Sequence, residues 1–268
     1  MLREAAAFLK KDFLTESSYK LAFLFNIFGV FISVLIYFFI DRLFGSRIAP
    51  HLEVFGINYF SYVLLGMAFF SYVGAGMGSF ASQLHNEQMQ GTLEAVLLTP
   101  VKISTLLFSM ALWNLIIATL DMVIYIVLGI FVFKIDFSQI NLLSGLIILI
   151  LTITSFSGLG ILSASFIMIF KRGNPLGWVI SSLEGLIGGV YFPVSVLPAW
   201  LQFVAKFFPI THAIRAMELA VYQGYPLRLL AKEIFLLFLF SLLLIPAGLI
   251  VFKFATKKSR MQGTLLQF

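Results

Sequence analysis

The chain has no cysteine and only three histidines in 268 residues. The first absence excludes disulfides, thiolate nucleophiles and thiolate metal sites. The histidines, His51, His85 and His212, stand far apart and form no ligand pattern, so no metal site is expected on this chain. Charge is scarce as well. Asp, Glu, Lys and Arg make up 11% of the residues, where a soluble domain carries about 25%. No glycine is followed by lysine, so the phosphate cradle of an ATPase is missing. A hydrolase would want G-x-S or H-E-x-x-H, and neither occurs. An intramembrane acid protease would want two aspartates within apolar spans, and only Asp121 qualifies.

What is present is apolar sequence in long runs. Hydrophobic residues reach 60%, and the mean hydropathy is +1.02. A bilayer-crossing helix needs roughly 20 apolar residues. Six runs meet or approach that length: 21–40, 57–80, 106–133, 142–170, 176–191 and 234–254. The first closes at Asp41-Arg42. The second is rich in small residues (Gly66, Gly74, Gly76, Gly78) that let membrane helices approach closely. The fifth is interrupted at Pro193. Met1–Glu16 has neither an apolar core nor a cleavage site, so no signal peptide is expected there. Leu2, Ala6, Leu9 and Phe13 fall at helical spacing beside Lys10 and Lys11, which predicts an interfacial amphipathic helix over 1–20.

Orientation follows from the basic residues. With the amino terminus inside, the inner segments hold eleven of the eighteen Lys and Arg against five acids, while the remainder holds seven of each. The positive-inside rule then places both termini in the cytoplasm. The sequence pI of 9.5 is accounted for by this asymmetry and by anionic lipid, with no need for nucleic acid.

Between the second and third spans lies an acidic segment, "EQMQGTLEAVLLTP", on the cytoplasmic side in this topology. On a helical wheel over 87–98, Glu87, Gln90, Gly91 and Glu94 share one face, and Met89, Leu93, Val96 and Leu97 the other. Thr99 and Pro100 suit the start of the next helix. An acidic face on an otherwise basic surface reads as a docking face. Gly91, costly in a helix by about 1 kcal/mol, makes sense where another backbone comes close. "MQGTL" recurs at 261–265, but no similarity extends beyond the pentad.

Residues 192–226 are interrupted differently. Pro193 and Pro198 break the fifth span, after which Trp200, Phe203, Val204 and Phe207 give one apolar face. Pro209 breaks again, Thr211 is placed to cap, and His212–Tyr222 forms a second short helix ended by Gly224. Two helices too short to cross predict a re-entrant hairpin in the outer leaflet, in preference to an ordinary loop. Within the spans two carboxylates stand out, because a membrane charge is a functional candidate by default. Glu184 falls near mid-membrane, and two readings stand: a group lining a transport path, or a protonated side chain bonded to a neighbouring serine. Asp121 in the third span is a second path candidate, or is paired with a basic residue such as Arg215.

"EQMQGTLEAVLLTPVKIS" resembles the cytoplasmic coupling helix of the type-2 ABC exporter permeases, the daunorubicin-type and polysaccharide exporter family. "KRGNPLGWVISSLEGLIGGVYFPVSVLPAWLQFVAKFFPITHAIRAM" resembles that family's fifth span and the segment after it. The order of elements covers the whole chain. The expected fold is an all-α membrane protein of six spans, with an interfacial helix, a cytoplasmic coupling helix and an outer-leaflet hairpin. The resemblance implies a permease subunit in the cell membrane that moves a drug, lipid or glycan outward. It also implies a second permease subunit, as homo- or heterodimer, and two separate ABC ATP-binding subunits that carry ATP and Mg. In that family the hairpin caps the outer side of the transport path, which assigns the role to Pro193, Pro198, Trp200, Phe203, Phe207 and Pro209. The alternatives from other classes are a non-transporting polytopic scaffold and an intramembrane enzyme; the first would not explain the coupling helix, and the second lacks its residues.

Overall fold

A computed structural model describes residues 9–11, 13–14, 20–89, 103–170 and 175–261. Among these residues there are helices and no strand. The long helices are α1 (Lys20–Ile48), α2 (Tyr59–Met89), α3 (Ile103–Val127), α4 (Leu142–Phe170) and α8 (Ala231–Met261). Between α4 and α8 lie three shorter ones: α5 (Pro175–Ile187), α6 (Ala199–Ala205) and α7 (Pro209–Tyr222). A wide helical turn, Leu128–Val132, extends α3.

Among the described residues five helices are long and apolar enough to cross a membrane. They correspond to the first, second, third, fourth and sixth expected spans. The fifth is present as α5, with 13 residues. At 1.5 Å per residue that is about 20 Å, short of a hydrocarbon core of about 30 Å. Its end is set by the glycines that follow, since Gly189 takes φ +94°, a conformation side chains disfavour. The first span also differs from expectation. Asp41 and Arg42 do not close it; α1 runs on to Ile48, with the Arg42 guanidinium 5.3 Å from the centre of the Phe38 ring. A charged pair at the interface keeps its helical backbone while its ends reach toward water.

The second span forms the middle of the bundle. Of its apolar window, Tyr59–Gly78, 72% is buried, against 11% for α1 and 17% for α8. Val63, Phe69, Val73 and Met77 of α2 meet Ile148 and Phe156 of α4 and Ile210 and Ile214 of α7 in one core. Outer helices leave Leu24, Phe25 and Phe28 of α1 and Leu242 and Phe254 of α8 exposed, as lipid-facing surfaces require.

Two crossings depend on glycine. A Cβ on Gly160 of α4 would collide with the Gly76 carbonyl of α2. A Cβ on Gly158 would lie 2.7 Å from backbone and Cβ of Leu244 in α8. Of the four small residues singled out in the second span, Gly66 and Gly76 sit at such close approaches, whereas Gly74 and Gly78 have nothing within 4 Å. Serines seal the α4–α8 seam: Ser155 Oγ and Ser241 Oγ are 2.8 Å apart, and Ser155 Oγ donates to the Leu237 carbonyl at 3.1 Å. Across α2 and α3 the Tyr72 hydroxyl donates to Thr119 Oγ1 at 2.9 Å.

The interfacial helix expected over 1–20 falls largely outside the described residues. Residues 9–11 and 13–14 are helical, and the Phe13 ring lies edge-on to Trp113 with centroids 6.3 Å apart.

Candidate functional site

The acidic segment begins inside α2, which continues past Phe80 to Met89, so Glu87 stands in that helix's last turn. Gln90, Gly91 and Glu94, with the rest of 90–98, lie outside the described residues.

Beyond α5 the chain turns at Gly188-Gly189, and Pro193 leads into a single tight turn, Val194–Val196. Pro198 caps α6, whose seven residues span about 10 Å. Trp200 and Phe203 on α6, and Phe207 just after it, are 67%, 61% and 65% exposed, and Phe203 and Phe207 meet edge-to-face at 5.3 Å. The apolar face read from their spacing is therefore present and turned outward. Pro209 does not break a helix but begins one: it occupies the first turn of α7, where its fixed φ and missing N–H cost nothing. That corrects the role expected of Thr211. Phe208 is the N-cap, without a side-chain hydrogen bond, and the shielded Thr211 Oγ1 has no partner among the described residues.

In contrast to α6, α7 is buried along most of its length. It is tied in by hydrogen bonds: Tyr222 OH donates to the Ser61 carbonyl at 2.8 Å and Gln223 Nε2 to the Phe55 carbonyl at 2.7 Å. The Tyr62 hydroxyl of α2 donates to the Gly189 carbonyl, which pins the turn after α5 to the central helix. Gly224, with φ +63°, then releases the chain, as the sequence suggested.

Glu184 sits on α5 with 0% exposure. Neither carboxylate oxygen has a hydrogen-bond partner among the described residues. The neighbouring Ser181 hydroxyl points elsewhere, 3.6 Å from Met77 Sδ. The serine bond that would have explained Glu184 as a structural group is thus missing. Asp121 on α3 is half-buried and makes no ion pair among the described residues. Arg215, expected opposite it, lies instead against Glu233, with Nε 3.8 Å from Oε1. The reason is topological: Arg215 is on the outward side of α7, which packs beside the start of α8.

One residue escaped the sequence reading. Glu218 of α7 is 1% exposed, and both its oxygens are unpartnered among the described residues. In sequence it stands three residues from Arg215, the spacing of an exposed helical ion pair. Only packing shows that Arg215 turns to Glu233 while Glu218 turns inward, close to Tyr62 and Tyr222. Buried carboxyls without partners are expensive. Two of them, on α5 and α7 at either end of the segment that carries Pro193, Pro198 and α6, make this part of the bundle the candidate site. No cluster of three or more metal-ligating side chains occurs among the described residues.

A central small-residue helix, apolar outer faces and five helices long enough to cross a bilayer among the described residues define a multi-pass helical membrane protein. A family model described as ABC-2 type transporter matches residues 5–222. The chain belongs to that family, and it is accordingly a permease subunit of an ABC transporter. Such subunits provide transport across the membrane rather than catalysis, and typically work with an ATP-binding subunit. Comparison with curated proteins finds no match.

Proposed function

We propose that the chain is the permease of an ATP-driven exporter, moving a drug, lipid or glycan from the cytoplasm or inner leaflet outward. It sits in the cell membrane with both termini cytoplasmic, pairs with a second permease subunit, and is driven by two ATP-binding subunits. ATP and Mg belong to those partners, because this chain has no phosphate cradle. The observation that carries the reading is the acidic segment that begins in the last turn of α2. Its Glu87, Gln90, Gly91 and Glu94 share a polar face in a part of the chain that the basic residues assign to the cytoplasm. Such a face transmits nucleotide-driven movement by rigid contact with a groove on the motor. The turn from Gly188 to Pro209 and the short helices around it would close the outer end as a re-entrant hairpin, with α5 completing a sixth span. Glu184, and with it Asp121, would line the path.

The test lies on the docking face. Glu94→Arg turns an attractive contact into a repulsive one and weakens docking by about 1 to several kcal/mol; Gly91→Leu acts by bulk. Both variants should insert normally and lose co-purification with the ATPase, or uncouple its ATP hydrolysis from export. Leu93→Ala should instead loosen the helix from the membrane. If Glu94→Arg and Gly91→Leu both assemble and export like the parent, the docking assignment is wrong.

A further inference from the structure

A cavity of about 530 Å³ opens between the hairpin, the loop after α1 and the start of α8. Its size falls within the roughly 300–1,000 Å³ of ligand sites. One part of its wall is apolar, built by Val54, Phe55, Ile214 and Leu236. The other is cationic: Lys206, Arg215 and Lys232 line it against a single carboxylate, Glu233, a formal excess of two positive charges. That excess is local, since the residues outside the cytoplasmic segments are balanced at seven basic and seven acidic.

Most polar groups of the wall are engaged with one another. Glu233 faces Arg215. His51 Nδ1 lies 3.2 Å from Ser195 Oγ, and His212 Nε2 lies 2.9 Å from the Lys206 carbonyl. Gln202 Nε2 donates to the Leu197 carbonyl at 2.8 Å. What is left over is consistent in sign. Lys206 and Lys232, both exposed, make no ion pair among the described residues. Two unpaired cations beside an apolar wall match an oxyanion attached to an apolar body. Lysine binds phosphate as a point charge without demanding a fixed geometry, and the Arg215–Glu233 pair holds the rim in place.

We propose that this cavity is a binding site for the phosphate-bearing head of an anionic amphiphile. Apolar wall residues take the start of its chain, and Lys206 and Lys232 take the oxyanion. The placement on the outer side rests on the topology proposed above; the binding itself does not.

The experiment uses the full chain, purified in discs of phosphatidylcholine and accessible from both faces. Lysophosphatidic acid, lysophosphatidylcholine of equal chain length and inorganic phosphate are titrated against it. Lysophosphatidic acid should bind saturably, roughly tenfold or more tightly than its zwitterionic counterpart, and more weakly as salt rises. The double substitution Lys206→Gln with Lys232→Gln should weaken it roughly tenfold, while Lys206→Arg with Lys232→Arg, which keeps both charges, should bind like the parent. Phosphate that competes in a lysine-dependent manner would show that the free oxyanion suffices; phosphate that fails to compete would assign the site to the amphiphile. Equal affinity for the two lysolipids, or unchanged affinity in the glutamine variant, overturns the proposal. Loss of binding in the arginine variant overturns it too. An inverted topology would surface separately, from labelling an Arg47→Cys variant, and leaves these binding outcomes intact.

Discussion

Substitution of Gly158 by alanine tests the packing argument at its tightest point. The α4–α8 pair is the most extensive helix contact among the described residues. A methyl group on Gly158 would lie 2.7 Å from the backbone carbon and Cβ of Leu244 and 2.9 Å from the Ile245 nitrogen. Carbon atoms prefer roughly 3.5–4.0 Å, so the helices must part by about 1 Å. Backbone offers no rotamer to swing away. Overpacking of this kind costs about 1–3 kcal/mol. Parting the helices also stretches the Ser155–Ser241 hydrogen bond one turn away, where an interhelical bond in a membrane contributes about 0.6 kcal/mol. A total near 2 kcal/mol, less the roughly 1 kcal/mol that any helical glycine-to-alanine change returns, leaves about 1 kcal/mol, a melting temperature lower by about 2–4 °C. The fluorescence of Trp113, Trp178 and Trp200 reports unfolding in detergent without a label. Gly74→Ala is the control, because nothing lies within 4 Å of its added methyl. Relief of glycine's helix cost, about 1 kcal/mol, should leave Gly74→Ala as stable as the parent or more so. Equal melting temperatures for the two variants would refute the reasoning, since both replace a helical glycine by the same residue.

The remaining predictions concern charge. Glu184→Gln keeps volume and removes the ionisable group, so it should lower efflux or substrate-stimulated ATPase activity while co-purification with the motor is unchanged; full transport at normal expression would show the carboxylate to be spare. Cysteines are absent, so single ones report side cleanly: Gln90→Cys and Lys258→Cys should react only from the cytoplasm and Arg47→Cys only from outside. Labelling of Gln90→Cys from outside in intact cells would overturn the docking argument.

Membrane class, five of the six apolar runs, the start of α6 at Pro198 and the turn at Gly224 were legible in the residues, whereas the fifth run ends at Gly188-Gly189, before Pro193. Each depends on local quantities: the length of an apolar run against bilayer thickness, the missing N–H of proline, the left-handed tolerance of glycine. The apolar stripe of Trp200, Phe203 and Phe207 was legible for the same reason, since helical period alone puts them on one face. Partner choice was not. Arg215 had three acids within plausible reach in sequence terms, Asp121, Glu218 and Glu233, and only the docking of α7 beside α8 selects Glu233. That same docking turns Glu218 inward, and no pattern along the chain distinguishes it from a solvated helical glutamate. The second span is the least apolar of the five long helices among the described residues, with hydropathy 1.5 against 2.1 to 2.9, and of these it is the one mostly enclosed; its hydropathy hints at enclosure but not at its partners. Which apolar helix faces lipid and which faces protein depends on where small residues let backbones meet. Gly66 and Gly76 meet a partner and Gly74 and Gly78 do not, a difference that exists only once the other helices are in place.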